Sequence, residues 1–290
     1  MKKVVVTGGS GRLGRHTITE LLAAGYEVLS LDIAPSREQL CESWICDLKR
    51  SGDLYEAFRN ATAVVHLGAY QAPRLASDCE TFNNNVTATY NVLRAATDLG
   101  VARVVLASSV AAYGFLYAPE MWAPDVLPLD EGYPCKPQDP YALSKVFGEQ
   151  LADSFVLQSE LTVASLRFSG VNFELTYATL PERWANPGVK LGTFWSYVDA
   201  RDAAVAARLA IETPLVGHQV FNIGADSSRY REPTAELIKK YLPGTSIAEG
   251  FSGAFGGLDC SRAKSILGFR ARHIWQEYLR PDGTPIAPRG

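Results

Sequence analysis

Tyr141 and Lys145 stand four residues apart in the run Tyr141-Ala142-Leu143-Ser144-Lys145. If Tyr141 opens a helix, as Pro140 before it suggests, this spacing puts both side chains on one face. A tyrosine with an ordinary pKa of about 10 is a poor base at neutral pH, but a nearby ammonium favours its phenolate. The pair is suited to moving a proton at a substrate oxygen. Ser109 ends the strand-like run Leu106-Ala107-Ser108-Ser109 and can hydrogen-bond that same oxygen. Tyr and Lys at this spacing also occur as solvated surface pairs, so the elements that carry them decide the reading.

Those elements alternate. Apolar runs at Val4 to Thr7, Tyr26 to Leu31, Ala63 to Leu67 and Arg103 to Ala107 read as strands. Between them lie stretches with helical spacing: Leu13 to Ala24, Asp53 to Asn60 and Glu80 to Leu99. A helix from Tyr141 to Leu157 and a strand from Thr162 to Phe168 extend the series. Strand-helix alternation predicts an α/β fold with a doubly wound parallel sheet covered on both faces. Phe173 to Gly192 breaks the period and reads as an excursion toward a substrate pocket. A strand at Thr193 to Val198, a helix at Asp199 to Ile211 and a strand at Gln219 to Ile223 are expected to return to the sheet. The organisation expected is a dinucleotide-binding domain over residues 1–168, rejoined by 193–224. Residues 169–192 and 225–290 would form a small C-terminal substrate-binding lobe.

Thr7-Gly8-Gly9-Ser10-Gly11-Arg12-Leu13-Gly14 falls between the first strand and the first helix. There a glycine-rich turn lets backbone amides and a helix N-terminus meet a pyrophosphate. Gly8 would permit the tight turn, Gly11 would clear the phosphates, and Gly14 would let helix and strand pack closely. Ser10, Arg12 and Leu13 complete the turn. Asp32, at the end of the second strand, is placed to accept hydrogen bonds from adenosine ribose hydroxyls and to repel a ribose phosphate, which favours NAD over NADP. Arg12 and Arg37 can each reach a phosphate and keep NADP open. Asp47 and Leu48 are positioned to approach adenine, and Asp47 reads equally well as a helix cap.

Composition narrows the field. Hydrophobic residues make up 47% and charged residues 20%, the profile of a globule. Against 31 acidic residues stand 28 Lys and Arg, with a net charge of -3 and no basic block, which argues against nucleic acid. The five dispersed cysteines (Cys41, Cys46, Cys79, Cys135, Cys260) and four scattered histidines show no metal-ligand spacing, so no metal site is expected and free thiols in the cytoplasm are the reading. The apolar run at the N-terminus stops at Thr7, a strand rather than a signal peptide, and no stretch approaches a membrane span.

The chain resembles the extended short-chain dehydrogenase/reductases, in particular the NAD-dependent epimerase/dehydratase group, whose core is a Rossmann-type domain. The resemblance runs through Thr7 to Gly14, Asp32, Asp47-Leu48, His66-Leu67-Gly68-Ala69, Asn84-Asn85-Val86, Ser108-Ser109 with Tyr113-Gly114, and Tyr141 to Lys145. Trp195 to Asp199 and Val220 to Gly224 look like later landmarks. It implies Tyr141 as acid/base, Lys145 as its electrostatic partner and a holder of the nicotinamide ribose, and Ser109 as donor to the substrate oxygen. Asn85 with Leu67, Gly68 and Ala69 would line the cofactor cleft, and Phe168 joins that set. A homodimer through the helices near Glu80 to Leu99 and Tyr141 to Leu157 is also implied.

The sequence departs from the sugar-nucleotide pattern at Gly170, where those enzymes generally carry an asparagine. No convincing basic cluster for a second diphosphate appears, with Arg183, Arg229 and Arg231 the candidates. The expectation shifts to a compact sugar-type substrate, a free sugar or sugar acid, resembling the smaller sugar and uronate dehydrogenases. The segment between Gly114 and Pro140 is expected to cover the site, with Tyr117 and Trp122 either stacking on a sugar or packing the loop. An NDP-sugar 4-epimerase with retained NAD and a non-catalytic dinucleotide-sensing or protein-binding module are the alternatives.

Overall fold

The computed structural model describes residues 2–189 and 191–287; Met1, Lys190 of the expected excursion and the last three residues of the expected lobe lie outside this range. In chain order the elements begin β1 (Lys3–Thr7), α1 (Arg12–Ala23), β2 (Glu27–Asp32), β3 (Glu42–Ile45), α2 (Gly52–Ala57), β4 (Ala61–His66), α3 (Asp78–Asp98) and β5 (Arg103–Ser109). They continue with β6 (Val126–Leu127), α4 (Pro140–Val156), β7 (Thr162–Phe168), β8 (Gly170–Asn172), α5 (Leu180–Trp184) and β9 (Tyr197–Asp199). The last are α6 (Ala200–Glu212), β10 (His218–Ile223), α7 (Thr234–Tyr241) and β11 (Ser246–Ile247).

Seven strands form one sheet in the order β10-β7-β5-β4-β1-β2-β3, and every pairing in it is parallel. The near-continuous apolar strands explain this. Val4, Val5 and Val6 of β1 are all inaccessible, because helices cover both faces and neither side of the strand meets water. The chain runs outward from β1 to β3 and then crosses back to β4 on the other side of β1. That reversal opens a crevice beyond the carboxyl ends of β1 and β4, where ligands of such sheets bind.

One expected element differs. Thr193 to Val198 is not one strand: Phe194 and Trp195 adopt left-handed backbone (φ 48° and 61°), and only Tyr197–Asp199 is extended. That strand pairs with β8 in a separate two-stranded sheet instead of rejoining the main one. The reversal lets Phe194 and Trp195 bury completely in an aromatic cluster with Phe115, Tyr197 and Trp275, and the Trp195 indole donates to the Pro187 carbonyl at 2.9 Å. Burial of two large rings outweighs the local backbone strain, about 1–3 kcal/mol per residue.

Candidate active site

The glycine turn follows β1 as a tight reversal. Gly8 has φ +72°, and a Cβ there would come within 2.7 Å of the Gly68 backbone nitrogen. At Gly14 a Cβ would lie 2.2 Å from the Gly8 carbonyl, so that position is glycine because α1 packs directly on the turn. The turn forms one wall of a cleft of about 400 Å³. Gly8, Ser10, Gly11, Arg12, Leu13 and Gly14 line it together with Asp32, Asp47, Leu48, Leu67, Gly68 and Ala69. The Asp32 carboxylate accepts the amides of Ser10 (3.0 Å) and Ala34 (3.1 Å), which fixes it at the end of β2 facing the cleft. Asp47 does not cap a helix: its Oδ1 accepts the Lys49 amide at 3.0 Å within its own loop, while Ser51 precedes α2. Arg37 is exposed and outside the cleft.

Asn85, expected to line the cleft, does not border it. It is buried beneath the cleft wall, where its side chain brackets the backbone of Tyr70, accepting from the amide (2.9 Å) and donating to the carbonyl (3.0 Å). It also donates to Ser144 Oγ at 3.1 Å, so it ties the loop after β4 to α4 instead of facing a cofactor. Its neighbour Asn84 lines the cleft.

At its inner end the cleft joins a second chamber of about 230 Å³ through shared walls at Leu13, Leu67, Ala69 and Gln71. Ser109, Tyr141 and Lys145 all line this chamber, with Phe168 at its edge. Ser109 ends β5. Tyr141 and Lys145 occupy the first turns of α4, whose start is set by Pro140 and by Asp139 Oδ1 accepting the Ala142 amide at 2.9 Å. Ser109 Oγ accepts the Ala111 amide at 3.1 Å, which fixes the side chain at the end of β5.

The electrostatics differ from expectation. Burial, the dominant influence, raises the Tyr141 phenol well above its usual range, opposed by the neighbouring Ser109 hydroxyl and reinforced by Tyr117 and Asp139. The Lys145 ammonium does not offset this, because its Nζ donates to the Ala107 carbonyl at 2.7 Å and lies 5.4 Å from the Tyr141 ring centre. Burial pulls Lys145 itself down to about 8, with Glu149 acting in the opposite direction.

Several residues at the site were not singled out in the sequence. Phe173, from the irregular segment, lines the chamber and stacks under the Arg12 guanidinium at 3.9 Å, joining the substrate side to the phosphate turn. Gln71 borders both spaces. Glu149, one helical turn beyond Lys145, binds Arg167 in a buried ion pair and accepts the Ser108 hydroxyl at 2.5 Å. Its spacing of four from Lys145 was the available signal. Of the residues between Gly114 and Pro140, Leu116 and Tyr117 reach the chamber, and Tyr117 meets Tyr141 edge-on at 6.0 Å. Trp122 packs on Phe115 at 4.5 Å. Arg229 sits behind Gly170, its Nη2 donating to the Ser196 carbonyl at 2.8 Å and filling the space a side chain at 170 would take. Among the described residues no cluster of acidic, His or Cys side chains has the arrangement of a metal site, and no helix is long and apolar enough to cross a membrane. All five cysteines are free.

A doubly wound parallel sheet with a glycine turn and an acidic residue at the end of β2 defines a dinucleotide-dependent enzyme class. Residues 4–175 match the NAD dependent epimerase/dehydratase family, and the chain belongs to that family. It is 34% identical over 172 residues to an L-arabinose 1-dehydrogenase (NAD(P)(+)) of Haloferax volcanii, a match covering 58% of this chain and 66% of that protein. It is 30% identical over 182 residues to a UDP-glucose 4-epimerase of Bacillus subtilis, covering 57% and 51% respectively. The match thus spans between half and two thirds of these curated relatives. Among solved structures, a short-chain dehydrogenase/reductase superfamily protein from Agrobacterium tumefaciens with bound NAD superposes with a TM-score of 0.72 at 26% identity, over 94% of each chain.

Proposed function

We propose that the protein is an NAD-dependent sugar dehydrogenase that oxidises a hydroxyl, or reduces the matching carbonyl, of a free sugar or sugar acid. The observation that carries this reading is the convergence of Ser109, Tyr141 and Lys145 on a chamber of about 230 Å³ that opens from the dinucleotide cleft. The cleft residues fit NAD. Gly8 and Gly14 leave the turn open for a pyrophosphate, and Asp32 presents a carboxylate where a ribose hydroxyl would bind and a phosphate would be repelled. Bound NAD supplies the two-electron acceptor that the protein's side chains lack.

The chain's own residues handle the proton. Ser109 donates to the substrate oxygen, and Tyr141 takes the hydroxyl proton in oxidation or returns it in reduction. Lys145, half-buried in the wall of the same chamber, holds positive charge beside the phenol as substrate and cofactor replace water there. The small chamber and Gly170 favour a compact substrate. A homodimer through α3 and α4 is part of the reading, supported by the edge-on pair Phe82 and Phe147 on their outer face (5.4 Å), where Phe147 is 40% exposed. The cytoplasm is the proposed location, in keeping with free cysteines.

The test is the nucleotide released by denaturing freshly purified protein, followed by NADH formation with a panel of sugars and sugar acids. Protein that binds added NAD and forms NADH supports a dehydrogenase. Stoichiometric retained NAD with no net NADH from any sugar would replace it with an epimerase cycle.

A further inference from the structure

Lys145 also borders a second, small cavity of about 20 Å³, lined by residues of α3, α4, β4, β5 and β7. Polar side chains make up much of its wall, with His66, Thr89, Ser108, Lys145, Glu149 and Ser165 all bordering it. A water needs roughly 10–15 Å³ and two to four polar partners, so the cavity suits a single water. Ser165 is fully buried on β7, and its hydroxyl meets His218 Nε2 at 2.8 Å. His218 Nδ1 in turn meets Asp153 Oδ1 at 2.7 Å. The His218 side chain is 4% exposed and that of Asp153 is 67% exposed, so this series leads from the interior to bulk solvent.

Serine to Nε2 and Nδ1 to carboxylate is the connectivity of a hydrolytic triad. Hydrolysis is ruled out here by access, because Ser165 is fully buried and borders a space of only about 20 Å³. A hydroxyl and an imidazole in series can still pass protons.

We propose that Ser165, His218 and Asp153, with a water in the cavity, form a proton path between Lys145 and solvent. The proposal rests on the dehydrogenase reading. Oxidising an alcohol removes two electrons and two hydrogens: one hydrogen leaves with the electrons to NAD, and the other leaves as a proton. Tyr141 takes that proton from the substrate hydroxyl. Lys145 passes one of its own protons to the water and receives the one taken up by Tyr141, so its charge is restored; the water gives a proton to Ser165 Oγ, and Ser165 passes its own to His218 Nε2. The imidazolium, held by the Asp153 carboxylate, releases a proton to solvent, so each carrier gains one and loses one and none is oxidised. An epimerase that returns hydrogen to the same molecule needs no such exit.

The experiment measures exchange of the Lys145 ammonium protons with solvent by NMR, in ¹⁵N-lysine-labelled full-length protein saturated with NAD, with Lys145→Met assigning the signal. His218→Gln keeps hydrogen-bonding groups and loses the proton-carrying ring, and should slow exchange at least tenfold at an unchanged thermal midpoint. Asp153→Asn, altered only at an exposed carboxylate, should slow it severalfold and carries the test if His218→Gln fails to fold. Exchange unchanged in the folded variants overturns the path. A parallel assay of NADH formation with L-arabinose and D-galacturonate separates the two claims. Absent NADH from any sugar counts against the dehydrogenase reading, whereas NADH formation with unchanged proton exchange counts against the path alone.

Discussion

The Glu149 carboxylate grips the Arg167 guanidinium at two points, Nε to Oε1 at 2.9 Å and Nη2 to Oε2 at 2.6 Å, in a pair that water scarcely reaches. It joins α4 to β7 directly behind the chamber. Arg167 also donates to the Glu131 carbonyl at 3.1 Å and stacks on Tyr113 at 4.8 Å, so the pair anchors the segment before α4 as well.

Breaking this pair from one side leaves a buried charge without its partner. Glu149→Ala should lower stability by about 3–5 kcal/mol, read as a fall in the denaturant midpoint. The double variant Glu149→Leu with Arg167→Met removes both charges and should recover most of the loss. A single variant as stable as the parent would show that the pair contributes little.

Tyr141→Phe removes one hydroxyl. Turnover should fall roughly 10²–10⁴-fold while NADH binding, followed by fluorescence titration, stays close to that of the parent. Full activity in this variant would remove Tyr141 from the mechanism. Ser109→Ala should reduce turnover less, because Tyr141 keeps its position.

The cofactor end is tested by two substitutions. Asp32→Ala should shift the ratio of NAD to NADP dissociation constants toward NADP by about tenfold, or ~1.4 kcal/mol, as the repulsion of a ribose phosphate is lost. Gly14→Ala puts a methyl group 2.2 Å from the Gly8 carbonyl and should abolish binding of both nucleotides. Tight NAD binding by Gly14→Ala would contradict the packing described at the turn.

His66 makes folding sensitive to acid. Its ring is buried between Thr7 Oγ1 (2.7 Å from Nδ1) and Thr89 Oγ1 (3.2 Å from Nε2), and burial, with Lys145 adding, lowers its pKa to about 3. The unfolded chain takes up this proton near pH 6.5 and the folded chain does not until about pH 3. Stability should therefore fall as pH drops through that window, by up to about 1.4 kcal/mol per pH unit for one proton. His66→Asn should flatten the slope of stability against pH in that range, and an unchanged slope would assign it to other groups.

Local features were readable from the chain alone. Alternating apolar runs and helical spacing mark the βαβ series, the glycine turn sits where a strand meets a helix, and Asp32 closes the next strand. Each depends on residues near one another in sequence, where periodicity and turn chemistry act directly. Tyr141 and Lys145 belong with these, being one helical turn apart. What the tertiary structure decided joins residues far apart. Arg167 faces Ser108 only because β5 and β7 pair in that register, and this brings Glu149 onto both. Arg12 meets Phe173, and Asp153 meets His218, across chain separations that no local period encodes. Asn85 looked like a cleft residue and proved to be a buried strut, since the direction its side chain takes depends on how α3 lies against α4. Residues 193–198 are apolar enough for a strand, yet the need to bury Phe194 and Trp195 turned the backbone left-handed. Pattern identifies which residues seek the interior; only the packed chain determines which partners they find there.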